Sequence, residues 1–570
     1  MRAGFQKTFH RGFNKGFHQG FYALVLVSML IRFSMGARQA DYTLSVQPAE
    51  VAAGGSVTVS WTAPAGSPDK DWIAIYQDAD TGSQFKAYVY THGAATGSWH
   101  TTVRGAAGHT FRFRYLANDG YAVKAISNAG VSKPIAPVCS AGGSTASNIK
   151  HLVVIVQENK SFDGYFGNYC AAATGSNPAC TSGPACCEKA PLTVQGAPQT
   201  VLNDNENASH DPNHAQACEL SEIDGGRMDK FVSGAACSNP RNFAVADKAA
   251  LGAYWDYAAK YAMADRCFQS VAGASSSNDM YLARGAFVFV DNSVMPDATG
   301  KECAPGAAYK NYAEPTVGDL LDACSVPWTW YGGGYKTKLT DKDPGHCYPS
   351  YYDPSDNPFQ YYSRFTDKPQ YNKDYSEYAA AISSGTLPAV SFVKALGSAT
   401  EHGGSPISPG VAFVKATVDA VLNAPAYRDN TLIILTYDEG GGYYDHVAPP
   451  ADSPVDGQPY GPRQPFMALG AFAKTNTVSH VPMELASVLA FIEWNWLGKA
   501  SGLLQTRDAV ANNLGSLLDS AKTGATVPSG PTPTALERKG GTAPRAAQGI
   551  PEGGLLAPEQ YLGRDLKKPE

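Results

Sequence analysis

From residue 41 to about 137, apolar and polar residues alternate with a period of two. Val57-Thr-Val-Ser-Trp61, Trp72-Ile-Ala-Ile-Tyr76, Phe111-Arg-Phe-Arg-Tyr115 and Tyr121-Ala-Val-Lys-Ala-Ile126 alternate or run apolar over strand lengths. Gly, Pro, Asn and Asp lie between them, as turns require. Short strands at roughly ten-residue spacing predict an antiparallel β-sandwich of the immunoglobulin-like type over 41–137. Trp61 alternates in phase with Val57 and Val59 and is read as core, whereas Trp72, Trp99 and Tyr90 fit either a core or a binding face. Pro134, Pro137, Gly142 and Gly143 mark a linker, placed at 138–147. The sandwich carries no cluster of His, Asp, Glu or Cys and is read as a spacer or binding accessory.

From 148 to 520 the period changes. His151-Leu-Val-Val-Ile-Val156 and Thr431-Leu-Ile-Ile-Leu-Thr436 are continuous aliphatic or β-branched runs. Strands buried on both faces look like this, which predicts a mostly parallel sheet covered by helices. Val411, Val414, Val418 and Val421 have helical spacing, so Gly410–Leu422 is predicted as a helix, and Pro482–Leu497 as another. Residues 521–570, rich in Pro and Gly and poor in large apolar side chains, are predicted to form a disordered tail.

Composition sharpens this outline. Charged residues make up 17% of the 570 residues and the net charge is −6, which argues against a phosphate-backbone-binding surface. Arg2, Lys7, Arg11 and Lys15 precede the apolar run Phe21–Ile31. That run is shorter than the ~20 residues a bilayer span needs, so residues 1–40 read as a signal peptide and the mature protein as secreted or periplasmic. Export permits disulfides, and Cys170, Cys180, Cys186, Cys187, Cys218 and Cys237 are expected to staple loops. With eleven Cys in all, at least one thiol stays unpaired within a monomer.

Both long apolar runs lead into acids. The first continues as Gln157-Glu158-Asn159-Lys160-Ser161-Phe162-Asp163, the second as Tyr437-Asp438-Glu439-Gly440-Gly441-Gly442-Tyr443-Tyr444-Asp445-His446. Ligand sites in open α/β sheets lie just beyond the carboxyl ends of strands. Acidic and amide oxygens gathered there repel one another unless a cation joins them, and oxygen donors suit a hard divalent ion.

Glu158-Asn-Lys-Ser-Phe-Asp163 with Phe166-Gly167 resembles the opening motif of the bacterial phosphoesterase family that includes secreted acid phosphatases and phosphatidylcholine-type phospholipases C. The resemblance continues through Met228–Val232, Phe268–Val271, Leu387–Ser391, Asp438–Val447 and Gly461–Pro465 to Phe491–Glu493. It implies an alkaline-phosphatase-like α/β fold, a mostly parallel sheet flanked by helices, that hydrolyses phosphate esters at a metal-bound nucleophile. Carried over by position, it implies Glu158, Asn159, Ser275, Asp438 and Glu439 as ligands of a divalent metal ion of unknown identity. Ser275, in Gly273-Ala-Ser-Ser-Ser-Asn278, matches the nucleophile, with Ser276 as the alternative because Ser277 and Asp279 stand where Pro and Arg are usual. His214, His402 and His446 fall in family motifs and are the candidates for protonating the leaving group, while Ser405 stands where many relatives have a second His.

The expected function is therefore that of a secreted, metal-dependent phosphoric ester hydrolase with a serine nucleophile, resembling acid phosphatases that act on small phosphomonoesters. Two alternatives stand beside it: a phospholipase C that cleaves phospholipid headgroups, and a non-catalytic surface-binding protein with a degenerate hydrolase domain. The expected partners are a phosphate-ester or phospholipid substrate and no nucleic acid, with contact between the sandwich and a surface or membrane lipid left open.

Overall fold

The computed structural model describes residues 41–137, 139–140, 144–289, 292, 311–336, 352–498 and 501–530. The signal-peptide reading of residues 1–40 lies outside the described residues. Two sheets form over 41–137. One joins Thr43–Gln47, Ser56–Thr62 and Thr96–Thr102 in antiparallel pairs. The other centres on Trp72–Gln77 and Thr110–Leu116, with Ala87–Tyr90, Gly130–Lys133, Glu50–Ala52 and Val123–Ile126 around them. The inward phase of the alternation supplies a single core: Val57, Val59 and Trp61 from the first sheet meet Ile73, Ile75 and Phe113 from the second. Trp99 packs partly buried against that core, while Trp72 is fully buried on the opposite face of the second sheet against Phe85 and Tyr88.

The sandwich is docked on the larger unit, and within the segment read as a linker, 138–147, Cys139 and Ser147 have partners there. Cys139 is disulfide-bonded to Cys324, and Ser147 Oγ donates to Asn495 Oδ1 at 2.7 Å. Arg104 donates to the carbonyl of Phe287 at 2.9 Å, and Gly105 N–H donates to Glu314 Oε1 at 2.8 Å. Gly54, at φ +75°, lies so near the buried guanidinium of Arg284 that a Cβ there would stand 1.8 Å from Nη2. A Pro/Gly signal reports local breaks in regular structure and says nothing of contacts made across hundreds of residues.

The larger unit is a mixed α/β fold on one eight-stranded sheet. Its strands in chain order are β1 (His151–Gln157), β2 (Ala262–Ala264), β3 (Trp328–Gly332), β4 (Asn372–Asp374), β5 (Val390–Lys394), β6 (Thr431–Tyr437), β7 (Phe466–Leu469) and β8 (Thr477–Ser479). Across the sheet they run β4-β3-β5-β1-β6-β7-β2-β8. Only β7 is antiparallel to its neighbours. In β6 every residue is buried, and in β1 all but the first, as their unbroken apolar runs require. Helices α1 (Phe162–Phe166), α2 (Lys248–Lys260), α3 (Ser275–Ala283), α4 (Ser408–Leu422) and α5 (Ala486–Trp496) accompany the sheet. The expected helices at 410–422 and 482–497 are α4 and α5, and α5 is buried along its whole length.

Helix α6 (Ser520–Thr523) and the buried Val527 show that the tail reading began too early. Gly515 N–H donates to Pro528 O at 2.9 Å, so backbone pairing holds residues that composition alone assigned to disorder. Residues 531–570 lie outside the described residues. The six cysteines from 170 to 237 pair as Cys170–Cys187, Cys180–Cys186 and Cys218–Cys237, and Cys267 is buried and free. Among the described residues no helix is long and apolar enough to cross a membrane.

Candidate active site

Strands β1, β6 and β5 are neighbours and parallel, so their carboxyl ends deliver Glu158, Asp438 and Lys394 to one place. Asp438 Oδ1 accepts the backbone N–H of Asn159 at 3.1 Å and that of Glu439 at 2.8 Å. This leaves Asp438 Oδ2 and Glu439 Oε2 buried without a hydrogen-bond partner. The glycine run after them is a steric requirement: a Cβ on Gly441, at φ +65°, would stand 2.5 Å from Cβ of Asn159.

Ser275 is the first residue of α3. The loop before it is shaped by Asn278, whose Oδ1 accepts from Val271 N–H at 3.0 Å and whose Nδ2 donates to the carbonyls of Val271 and Gly273. Ser275 Oγ donates to Glu439 Oε1 at 2.7 Å and lies 3.5 Å from Asn159 Oδ1. Ser276 Oγ donates elsewhere, to Ser355 O at 3.0 Å, and Ser277 Oγ to Asn292 Oδ1 at 2.6 Å. The N-terminus of a nine-residue helix adds a partial positive charge at Ser275.

Three residues that sequence reasoning did not single out as site groups stand against this constellation. Lys394 Nζ lies 3.0 Å from Glu158, 3.1 Å from Asp279 and 3.8 Å from Asp356. Asp279 of α3, standing where Arg is usual, thus has its counter-charge at the end of β5. A lone Lys closing the apolar run Val390-Ser-Phe-Val-Lys394 was the available signal; Asp356 gave none.

His214 and His402 face each other with ring centroids 5.6 Å apart. His214 Nδ1 donates to Pro212 O at 2.8 Å, which leaves the lone pair on Nε2, 3.4 Å from the Asn159 amide. Burial, and then the proximity of His402, pushes the His214 imidazolium below its usual range.

Burial dominates the electrostatics here. It pushes the Glu439 carboxyl well above the usual range, and the Asp438 and Glu219 carboxylates push it further. Burial also raises Asp438, against the pull of Lys394. For Glu158 the order reverses: burial pushes up, but Lys394 and His402 hold its carboxyl down at about 2. Buried carboxyls with unpaired oxygens take up protons or a cation. The donors present, carboxylate, amide and hydroxyl oxygens of Glu158, Asn159, Ser275, Asp438 and Glu439, fit a hard divalent ion.

His446 is the exception among the expected site residues. Its Nδ1 donates to Asp163 at 2.8 Å and its Nε2 to Glu188 at 2.9 Å, so both ring nitrogens serve an ion network. Asp163, Asp445 and His446 bring ligand atoms within 4.8 Å of one another, but the buried Arg463 fills that cluster, pairing with both aspartates. Its place in a family motif made His446 a candidate; its partner Glu188 lies 258 residues away.

This network fixes a pH dependence of stability. Burial pushes the Glu188 carboxyl up, but His446 and the N–H groups of Gly175 and Asn177 hold it down at about 2. Its contribution is complete above an unfolded value near 4.5 and is lost as pH falls towards about 2. The His446 contribution runs the other way, because Asp163 overrides burial and raises its folded value above 6.5. It is complete below pH 6.5 and lost as pH rises through the folded value. Glu188→Gln is expected to cost about 1–3 kcal/mol near pH 6 and to flatten the loss of stability between pH 4.5 and 2. Thermal melts across that window check it; parallel losses in variant and wild type would assign the acid limb to other groups.

The Phosphoesterase family model matches residues 149–497. Non-hemolytic phospholipase C of Burkholderia pseudomallei is 24% identical over 61% of this chain and 55% of its own length. Hemolytic phospholipase C of Pseudomonas aeruginosa is 23% identical over 66% of this chain and 56% of its own. Phospholipase C B of Mycobacterium tuberculosis is 22% identical over 66% of this chain and 78% of its own. The chain therefore spans just over half the length of the first two.

Proposed function

The chain belongs to the phosphoesterase family, and from that premise we propose that it is a phosphoric ester hydrolase with Ser275 as nucleophile beside a divalent-cation site. The observation that carries the reading is the Ser275 hydroxyl, 2.7 Å from Glu439 at the start of α3, next to two buried carboxylate oxygens without partners. Glu158, Asn159, Ser275, Asp438 and Glu439 would hold the ion. When bound, it supplies positive charge that favours the serine alkoxide and the phosphoryl oxygens.

Asn159 and the N-terminus of α3 orient the phosphoryl group, and Glu439 holds the hydroxyl proton of Ser275. Oγ bonds phosphorus as the ester P–O bond breaks, and the leaving oxygen takes a proton from His402. Water then attacks the phosphoserine and gives a proton to His402, the P–Oγ bond breaks, and Ser275 recovers its proton from Glu439. Asp279, which departs from the family pattern, has a partner in Lys394, and this weighs against a degenerate site.

Small phosphomonoesters are the first substrate reading. The similarity to proteins named phospholipase C favours a second, cleavage of phospholipid headgroups. We read the fold as alkaline-phosphatase-like behind an immunoglobulin-like sandwich. Export is supported by four disulfides among the described residues. Hydrolysis of p-nitrophenyl phosphate against p-nitrophenyl phosphorylcholine, with and without chelator, tests the reading. Chelator-sensitive release from the first supports the phosphomonoesterase, from the second alone the phospholipase, and from neither the non-catalytic alternative.

A further inference from the structure

Three chain segments that carry the reactive residues meet at one buried side chain. Asn159 and Glu401 both hold positive φ, +60° and +74°, a conformation that L side chains rarely adopt. Each leads directly into the site: Asn159 presents its amide to Ser275 and His214, and Glu401 precedes His402. The Nζ of Lys160 donates to the carbonyl oxygen of Asn159 at 2.8 Å and to that of Glu401 at 2.8 Å. Its backbone N–H donates to Glu439 O at 3.0 Å, and its ammonium lies 4.7 Å from the ring centre of Tyr443. One residue thereby touches the 158–163 motif, the 401–402 turn and the 438–443 loop.

The Glu401 end of this bridge is anchored independently. Its carboxylate accepts from Tyr165 at 2.6 Å, from Tyr437 at 2.7 Å, from Gln157 at 3.1 Å and from Tyr254. Asn207 Nδ2 donates to the carbonyls of Glu401, His402 and Ser405. Lys160 extends that rigidity to Asn159. The Lys160 side chain is fully buried, and among the described residues no carboxylate lies within ion-pair distance of its ammonium. Burying a charge whose main partners are carbonyls is costly, and a neutral side chain would fill the space at less cost.

We propose that Lys160 is a positioning residue. Its ammonium locks Asn159 and Glu401 in their left-handed conformations, and so fixes the Asn159 amide against Ser275 and the His402 ring beside His214. The proposal rests on the reading of Asn159, Ser275 and His402 as the reactive centre.

The test uses the full chain with Lys160→Met. Expected are a kcat lower by about 100-fold with KM within about 3-fold, and an Mn2+ dissociation constant raised by about 10-fold in calorimetric titration. Amide hydrogen exchange should quicken in peptides spanning 157–163 and 399–405 while the sheet strands keep their protection. A general stability role would instead raise exchange throughout the sheet, and that result overturns the proposal. So do unchanged exchange and unchanged Mn2+ affinity. If the wild type turns over neither nitrophenyl ester, the functional reading fails, and the Mn2+ and exchange measurements still decide the clamp. Should Lys160→Met not fold, Lys160→Arg, which keeps the charge but displaces the donors, is measured in the same way and is expected to shift both.

Discussion

Ser275→Ala is expected to lower kcat by about 10³–10⁵-fold, equivalent to about 4–7 kcal/mol of barrier, with little change in KM. The variant removes the only hydroxyl of the Ser275–Ser277 run that points at Glu439 and Asn159. The ground-state complex keeps its other contacts, so the loss falls on the transition state. Ser276→Ala is the matched control, because its Oγ is spent on the carbonyl of Ser355. It is expected to lose less than about 10-fold, mainly through that one buried hydrogen bond. Acid quench during turnover, followed by peptide mapping, should place phosphate on Ser275. A phosphate on Ser276 moves the nucleophile by one residue; inversion at phosphorus with no phosphoenzyme removes it altogether.

What the sequence made legible follows from locality. Strands β1 and β6 announce themselves because continuous aliphatic runs have few other homes, and their ends carry Glu158 and Asp438 in plain view. Ser275 was singled out through the residues around it, and Asn278, among them, holds that loop by bonding Val271 at both its N–H and its carbonyl. What escaped was pairing over distance. Lys394 meets Glu158 because β5 lies beside β1 in the sheet, and it meets Asp279 of α3 across 115 residues, a juxtaposition that no periodicity encodes. His446 was a candidate through its family motif, and in the fold its ring nitrogens bond to Asp163 and Glu188. The segment read as a linker shows the same limit: its Pro and Gly content gives no sign that Cys139 and Ser147 are held by partners far along the chain.

Asp438→Asn is expected to separate the charge of the site from its shape. Asn keeps an acceptor where Asp438 Oδ1 receives the N–H groups of Asn159 and Glu439, so the crossing of the two loops should persist. What changes is the position of Oδ2, a buried oxygen with no partner, which becomes an amide without negative charge. Without a cation, the wild-type carboxylate is opposed first by burial and also by the Glu158 carboxylate, so removing its charge should raise the melting temperature of the metal-free protein. With Mn2+ in excess the order should reverse, because the wild type gains binding free energy that the variant has largely lost. Turnover should fall by about 10²–10⁴-fold, since one anionic ligand is missing. Calorimetric titration with Mn2+ and melts with and without the ion measure both halves in one preparation. An Asp438→Asn protein that melts lower without metal, or that keeps wild-type turnover and a full complement of Mn2+, would mean that the charge of Asp438 serves the fold and not an ion.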